Sequence, residues 1–478
     1  MELDPVLLSR IQFAFVVSFH AIFPVFTIGL ASFIAFLEGM ALKTDNPLYE
    51  RLSRFWIEVF AVVFGMGVVS GIVMSFQFGT NWSNFAQATA NFLGPMLSYE
   101  VITAFFLEAA FLGVLLFGRG KVPRGLFFFA ACMVAIGTFI SSFWILAANS
   151  WMHTPAGVEM RDGMFQVVAW SEAIFNASFP WRFLHMVMAS FLTGALVVAA
   201  VSAWFLLKGR ELEANRKALS LCLWLLLVLA PAQAVVGDFH GLNTLEHQPV
   251  KVAAMEGNWQ RSQGVPLLLF AWPDQASQSN HLEVGIPRLA SFILTHDWNG
   301  EVPGISETAL EEQPPVAIVF WAFRVMVGMG LLMIAFAVTG LVLRRGGRYW
   351  QTPWFLRGLT VMGIAPFIAV LAGWFVTEVG RSPWLVFGQM TYEQGITPSL
   401  TGGMALFTLI GYIVVYGLVF TAGTYYLTRV FRAGLEAQDE PHELEESERP
   451  KRPFSASHVS LEDDYPVRGT GATHHGTL

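Results

Sequence analysis

Nine long apolar stretches, separated by short polar segments, constrain the fold of this chain more than any other feature. A helix needs about 20 mostly apolar residues to cross a bilayer, and each stretch is close to or above that length. Because lipid offers no hydrogen-bond partners to the backbone, these stretches predict transmembrane helices. The predicted helices cover approximately residues 11–37, 55–78, 92–117, 126–149, 183–207, 219–236, 316–343, 356–376 and 404–427.

The composition supports an all-α, polytopic membrane protein. Of the 478 residues, 54% are hydrophobic and 13% are charged, whereas soluble domains carry about 25% charged residues. The first residues lack the basic region of a cleavable signal peptide, so the first apolar stretch is expected to remain as a helix. Cys132 and Cys222 both lie in apolar runs, which predicts neither a disulfide framework nor a zinc site.

The basic residues of the short loops predict the orientation. Cytoplasmic loops carry an excess of Lys and Arg, and an odd number of helices puts the two termini on opposite sides. The amino terminus is therefore expected outside and the carboxyl terminus in the cytoplasm. The basic residues that assign these loops are Lys43, Arg51, Arg54, Arg119, Lys121, Arg124, Lys208, Arg210, Arg216, Lys217, Arg344, Arg345, Arg348 and Arg357.

Two long polar regions divide the chain into four parts. Residues 1–237 hold helices one to six, and residues 316–430 hold helices seven to nine. Residues 238–315 form an outer segment, and loops this long are uncommon unless functional or disordered. Its tryptophans and prolines predict a structured, membrane-apposed loop. Residues 431–478 are rich in Glu and Asp and predict a disordered cytoplasmic tail.

Four side chains that can bind an iron porphyrin lie in four different apolar stretches: His20, His185, Met326 and Glu378. The predicted topology brings all four to the outer half of the bilayer. A single buried histidine is more often a hydrogen-bonded core residue, and a single methionine is more often packing. Four candidates at one depth predict a heme protein instead.

The ligand types suggest two kinds of heme. A His and Met pair, such as His185 and Met326, gives six-coordinate, low-spin iron that relays electrons, and Arg324 lies close to this methionine. A heme with one protein ligand keeps an open face for oxygen, and either His20 or Glu378 can hold such a heme.

Ionisable residues inside the apolar stretches are the second chemical signal, because a charge at the bilayer centre costs about 2.5 to 3.5 kcal/mol or more. Helix three carries Glu100 and Glu108, two turns apart on adjoining faces, and helix four offers Ser141. These residues predict a proton relay from the inside towards the outer layer. The alternative is that each Glu bonds a neighbouring helix and only holds the bundle together.

Arg381 and Trp374 flank Glu378 at the outer surface. Arginine pairs with carboxylates in a bidentate manner, so Arg381 can neutralise heme propionates. A plain interfacial belt of Arg and Trp is the alternative. Two further functional classes stay open for the whole chain. One is a heme-free transporter with buried acids, and the other is a cytochrome b-type quinone electron-transfer subunit without an oxygen site.

Several motifs make the chain resemble subunit I of the cytochrome bd quinol oxidases over roughly residues 7–430. Two of them resemble the cyanide-insensitive branch of that family in particular, namely SWMHTP at 150–155 and GDFHGLNTLEHQP at 237–249. The outer segment lacks a long insertion that the longest members carry before helix seven. The other motifs are SRIQF at 9–13 with His20, FQFGTNW at 76–82, YE at 99–100 with FLE at 106–108, WILAAN at 144–149, FRVMV at 323–327, and GWF with GR between 373 and 381.

The resemblance implies roles for the ligand candidates. His185 and Met326 would be the axial ligands of a low-spin heme b, with Arg324 beside it. His20 and Glu378 would hold a high-spin heme b and the oxygen-binding heme, and we favour His20 for the latter. The implied cofactors are two heme b and one heme d, although the third heme is b in some members of this branch.

The resemblance also implies a quinol:oxygen oxidoreductase of the bacterial cytoplasmic (inner) membrane. Glu100, Glu108 and Ser141 match its proton path and heme surroundings, and Lys251 and Glu256 match residues that oxidise quinol. Quinol would be oxidised outside and oxygen reduced with cytoplasmic protons, which generates proton-motive force without pumping. Expected partners are subunit II in a heterodimer, a small single-helix subunit in some members, lipid, quinol and oxygen, with no nucleic acid.

Overall fold

Nine helices that are long and apolar enough to cross a membrane dominate residues 3–435, the part of the chain that the computed structural model describes. This confirms the all-α, nine-helix prediction. The predicted acidic tail lies outside the described residues from position 436 onward. The helices are α1 (Pro5–Thr44), α2 (Pro47–Thr80), α3 (Ala90–Phe117), α4 (Arg124–His153), α5 (Phe179–Leu207), α6 (Leu212–His247), α7 (Val316–Arg345), α8 (Pro353–Val379) and α9 (Gly402–Ala433).

The helices extend beyond the apolar stretches that predicted them. α1 begins at Pro5, where the Asp4 carboxylate accepts a hydrogen bond from the Val6 backbone N–H at 2.8 Å, an ordinary N-cap. α6 continues past Asp238, so the first part of the predicted outer segment is helical. Polar residues can continue a helix once it has left the lipid, and hydropathy does not register them.

Two helices depart from regular α geometry. Val101–Phe105 forms a π-helical turn inside α3. α8 consists of two parts, Pro353–Met362 and Ala365–Val379, with a break before Pro366. A proline within a helix removes one backbone donor and kinks the helix, so this break has a direct cause in the sequence.

Short elements fill the connections within the described residues. The strands are β1 (Val158–Arg161), β2 (Met164–Val167), β3 (Ser262–Gln263), β4 (Leu267–Asp274), β5 (Ser279–Ile286), β6 (Glu301–Val302), β7 (Trp384–Val386) and β8 (Met390–Thr391). They pair antiparallel as β1 with β2, β3 with β6, β4 with β5, and β7 with β8. The short helices are Ser83–Ala88, Trp170–Ile174, Pro249–Glu256, Leu289–Thr295 and Tyr392–Gly395, with 3-10 turns at Ile305–Glu307 and Leu310–Glu312.

Glycine determines how α1 packs on α5. A Cβ on Gly29 would overlap the Ser190 carbonyl oxygen, and a Cβ on Gly194 would lie 2.9 Å from the Gly29 carbonyl carbon. Small residues let two membrane helices approach backbone to backbone. This contact therefore fixes the register of α1 against α5.

The two ends of the bundle differ in character. At one end, here called the basic end, buried Glu38 pairs with Arg119 and accepts a hydrogen bond from Ser53, and Arg119 also lies 3.3 Å from Glu50. At the other end, here called the loop end, residues 248–315 cover the helix termini. Every basic loop of the orientation prediction belongs to the basic end.

Residues 248–315 are folded against the helices. The indole N–H of Trp259 donates to the Asn280 side chain at 2.8 Å, and the guanidinium Nε of Arg324 in α7 donates to the Leu268 carbonyl at 2.8 Å. The Phe270 ring also packs edge-on against Trp321 at 5.1 Å between centroids. The β4–β5 hairpin is thereby held against the first turns of α7.

Candidate functional site

His185 and Met326 lie at the same depth in the bundle. His185 packs against Gly237 of α6, where an added Cβ would lie 3.2 Å from the His185 Cε1. Further along, Leu223 of α6 fits against Gly340 of α7. Gly237 is as many residues from Leu223 along α6 as Met326 is from Gly340 along α7. Because the two helices are antiparallel, Gly237 and Met326 lie at the same depth. The two potential ligands therefore lie at one level, His185 against Gly237 of α6 and Met326 against Gly373 of α8.

The other two ligand candidates lie close to this level. A Cβ on Gly373 of α8 would lie 3.1 Å from the Met326 sulfur, and Glu378 is about 7.5 Å further along α8 towards the loop end. The contact of Gly29 with α5 relates positions along α1 to positions along α5. Measured from this contact, His20 lies within about 6 Å of the depth of His185. All four side chains thus occupy one layer near the loop end.

The His20 imidazole is held in one tautomer by α2. Its Nδ1 lies 2.8 Å from the Ser70 hydroxyl oxygen, and that hydroxyl donates to the Gly67 carbonyl at 3.0 Å. Ser70 has one proton to donate, so it accepts from Nδ1–H, and the Nε2 lone pair of His20 remains for a metal. A hydrogen bond to the distal nitrogen is the usual support of a ligating histidine.

The Glu378 carboxylate is held by three donors. Asn149 Nδ2 lies 2.8 Å and His153 Nε2 lies 3.2 Å from its Oε1, and Arg381 donates to its Oε2 at 2.5 Å. A carboxylate has about four lone-pair positions. The side chain of Glu378 is still 20% exposed. Glu378 therefore retains room for one further bond, as an iron ligand requires.

Lys251 enters this cluster from the short helix Pro249–Glu256. Its Nζ lies 3.2 Å from Nδ1 of His153 and donates to the Thr377 carbonyl at 3.1 Å. Only 2% of the residue is exposed. Burial and the guanidinium groups of Arg182 and Arg381 hold the pKa of Lys251 well below its usual range. A lysine in this environment gives up a proton far more readily than one in water.

Glu256 ends the same short helix and faces Arg324 of α7. Its Oε2 lies 3.7 Å from Nη2 of Arg324, and both residues are largely buried. Burial raises the pKa of Glu256, while Arg324 opposes this shift. The remaining Arg324 nitrogens donate to the carbonyls of Leu268 and Met255, so the arginine is anchored while this one pair stays open to a ligand.

The donor set fits a porphyrin with its propionates. Within residues 3–435, buried nitrogens without a hydrogen-bond partner include Nδ1 of His185, Nε of Arg182, Nε and Nη1 of Arg381, and Nε1 of Trp374. A buried donor without a hydrogen-bond partner destabilises the folded state. The anionic carboxylates of heme propionates would supply such partners. Glycines beside three of the four ligand candidates leave the space that a Cβ would fill.

The two acids of α3 face the same side of α4. Ser141 donates to Glu100 at 2.8 Å, and Glu108 occupies the notch left by Gly137, one helical turn from Ser141. The prediction of adjoining faces was therefore wrong. The π-helical turn between the acids absorbs about one extra residue, which removes roughly 100° of rotation and aligns them.

The structure joins some predicted residues and separates others. Lys251, Glu378 and Arg381 form one cluster, whereas Glu256 and Arg324 form a second one beside it. Sequence reasoning gave no role to His153 and did not single out Arg182. His153 lies in the SWMHTP motif, and a buried arginine near the start of a predicted membrane helix is itself a signal of function.

Comparisons with known proteins identify the family. Residues 8–435 match the family described as cytochrome bd terminal oxidase subunit I. Cytochrome bd ubiquinol oxidase subunit 1 of Bacillus subtilis (strain 168) is 34% identical over 94% of this chain and 98% of that protein. Cytochrome bd-II ubiquinol oxidase subunit 1 of Escherichia coli (strain K12) is 31% identical over 91% of this chain and 98% of that protein.

A solved structure has the same fold. The bd oxidase from Geobacillus thermodenitrificans superposes with a TM-score of 0.83 at 30% identity, covering 91% of this chain and 99% of the solved chain. The described helices, the family match and these relatives agree over nearly the whole chain. The chain belongs to the cytochrome bd terminal oxidase subunit I family.

Proposed function

We propose that this chain is the heme-bearing subunit of a quinol oxidase that oxidises quinol at the loop end and reduces oxygen to water. The coarse activity, a quinol oxidase of the respiratory chain with heme cofactors, follows from family membership. The observation that carries the finer proposal is the single layer formed by His20, His185, Met326 and Glu378, with orphaned donors around it.

The four ligands divide into one pair and two single ligands. His185 and Met326 would hold a low-spin heme b, because they lie at one level on neighbouring parts of the bundle, each beside a glycine. His20 and Glu378 would each hold one further heme, a high-spin b and an oxygen-binding heme d or b. We assign the oxygen-binding heme to His20, whose Nε2 is free and whose Nδ1 is fixed by Ser70. Bound at these ligands, the hemes would supply electron relay and an iron with an open face for oxygen.

The second cluster would oxidise quinol. The Glu256 carboxylate accepts a proton from the quinol hydroxyl, which is general base catalysis, and Arg324 opposite it orients the same head group. Nζ of Lys251 hydrogen-bonds to His153 and Thr377. Lys251 would therefore affect quinol oxidation indirectly, through its contacts with the Glu378 cluster. The quinol-binding region would thus be residues 238–315, at the loop end.

Glu108, Glu100 and Ser141 would carry protons towards the ligand layer. Their alignment on one side of α4 supports a continuous route. The basic loops at the opposite end support a cytoplasmic position for that end, with the amino terminus outside. Protons released outside and taken from inside generate proton-motive force without a pump.

The chain is a multi-pass protein of the bacterial inner membrane and part of a multi-subunit oxidase. We propose subunit II as its heterodimer partner, with a small single-helix subunit as a further one. The exposed apolar side chains of α3 and α9, such as Ile102, Phe106 and Phe407, suit lipid or a partner helix. The motifs at 150–155 and 237–249 support placement in the cyanide-insensitive branch.

Visible spectroscopy of the purified protein, with pyridine hemochrome analysis of the heme types, tests this proposal. We expect a Soret band, low-spin and high-spin signals, and a response to carbon monoxide. The absence of a Soret band would exclude the oxidase and leave the heme-free transporter as the alternative. Low-spin signals without any gas response would identify an electron-transfer subunit that lacks an oxygen site.

A further inference from the structure

We propose that His153 is a positioning residue that couples the quinol-oxidising helix Pro249–Glu256 to the carboxylate ligand Glu378. The inference rests on the proposed function, because it takes Glu378 as a heme ligand and Lys251 as part of the quinol site. His153 ends α4 at the loop end and has no exposed surface.

Both ring nitrogens of His153 are engaged, one on each side. Nδ1 lies 3.2 Å from Nζ of Lys251, and Nε2 lies 3.2 Å from Oε1 of Glu378. A lysine amine is the donor towards Nδ1, so the ring proton belongs on Nε2 and is donated to the carboxylate. The hydrogen bonds therefore run in one direction, from Lys251 through His153 to Glu378.

The backbone of His153 is tied to the same short helix. Its carbonyl accepts a hydrogen bond from Nε2 of Gln248 at 2.9 Å, and Gln248 is the N-cap residue directly before the helix Pro249–Glu256. Lys251 additionally donates to the carbonyl of Thr377, next to Glu378. A displacement of this helix, such as quinol binding would cause, is thus transmitted to the side chain and the backbone of His153.

Other groups around Glu378 do not provide this link. Asn149 belongs to α4 and Arg381 lies two residues after the end of α8, and among the described residues neither has a side-chain hydrogen bond to the helix Pro249–Glu256. His153 alone among the described partners of the Glu378 carboxylate also bonds to that helix. Its role is to set the orientation of the carboxylate according to the state of the quinol site.

The test compares three variants in the purified, complete oxidase. His153→Leu removes both side-chain bonds, and His153→Gln keeps a donor and an acceptor. Thr154→Val is the matched control, because the hydrogen bonds of the Thr154 hydroxyl within the described residues go to Ser150, Asn176 and Ser178 and not to Glu378. The readouts are the KM for quinol, kcat, and the spectrum and reduction potential of the heme that Glu378→Gln identifies.

We expect His153→Leu to raise the KM for quinol by about tenfold and to shift the spectrum and potential of the Glu378 heme, while the low-spin heme signal stays unchanged. His153→Gln should bring the KM for quinol to within about threefold of the wild-type value and restore the spectrum and potential of the Glu378 heme. Thr154→Val should leave both readouts at the wild-type values. A His153→Leu variant that changes only one readout, or neither, would overturn the coupling.

A second variant decides the question if His153→Leu does not assemble. Lys251→Met should shift the potential of the Glu378 heme although the hydrogen bonds of Lys251 Nζ within the described residues go to His153 and Thr377 and not to the carboxylate, and no shift would overturn the proposal. Failure of the proposed function is a separate result. In that case the wild-type protein lacks heme or quinol oxidation, or Glu378→Gln leaves every heme signal intact.

Discussion

Oε2 of Glu256 and Nη2 of Arg324 face each other across 3.7 Å, and neither atom has a hydrogen-bond partner within residues 3–435. A buried carboxylate and a buried guanidinium so close together would normally close into a hydrogen-bonded pair. The gap is instead suited to a polar ligand group that can donate to the carboxylate and accept from the guanidinium. This pair therefore provides the most direct test of the quinol site.

Glu256→Gln should lower kcat/KM for quinol oxidation by about 100-fold or more, since a positioned base contributes that much. Burial raises the pKa of Glu256, and only the deprotonated form accepts a proton. The wild-type rate should therefore rise with pH, with a midpoint higher than the ordinary pKa of a glutamate in water. The variant should lack this pH-dependent rise. Steady-state oxidation between about pH 5 and 9 measures both effects.

Glu172→Gln is the control for that experiment, because Glu172 is an exposed glutamate of the short helix Trp170–Ile174 and lies outside residues 238–315. Its rate and pH profile should match those of the wild type. An unchanged rate in Glu256→Gln would remove Glu256 from the role of base, whatever the control shows.

Met326→Leu should convert the low-spin heme to high spin while the fold is kept, because the two side chains are similar in volume. Gly373→Ala should weaken the same ligand indirectly, since its Cβ would lie 3.1 Å from the sulfur. Gly330→Ala, where an added Cβ meets open space, should leave the reduced spectrum unchanged. A wild-type spectrum of Met326→Leu would exclude Met326 as a ligand.

Ser70→Ala should alter the heme that we propose His20 holds, because the variant loses the acceptor that fixes the Nδ1–H tautomer. Loss of such a support typically costs 10- to 100-fold in metal affinity or activity. The carbon monoxide difference spectrum and the heme content report this change. Ser75→Ala, at an exposed position of the same helix, should keep both at wild-type values.

Glu108→Gln should slow oxygen turnover while the affinity for quinol stays largely intact, because the role proposed for this acid is proton delivery. Gly137→Ala should cause a milder defect, since its Cβ would lie 2.5 Å from Glu108 Cγ and displace the carboxylate. Gly125→Ala, in open space near the start of the same helix, serves as the control. Full turnover in Glu108→Gln would contradict the proton role.

The nine helices were predictable because hydropathy responds to a single physical condition, the absence of water in the bilayer. Their ends were not, because polar segments such as residues 238–247 continue a helix where lipid no longer constrains them. The alignment of Glu100 with Glu108 was also unpredictable, since a π-helical turn leaves no mark in the spacing of apolar residues.

The amino-acid sequence by itself determined the fold class, the family and the depth of the four ligand candidates, because each depends on residue types counted along single helices. Only the tertiary structure decided which side chains meet. The contact of Lys251 with His153, and of His153 with Glu378, joins three elements that lie far apart in the chain. Such contacts depend on how helices pack and on where buried polar groups find partners, and no local pattern encodes either.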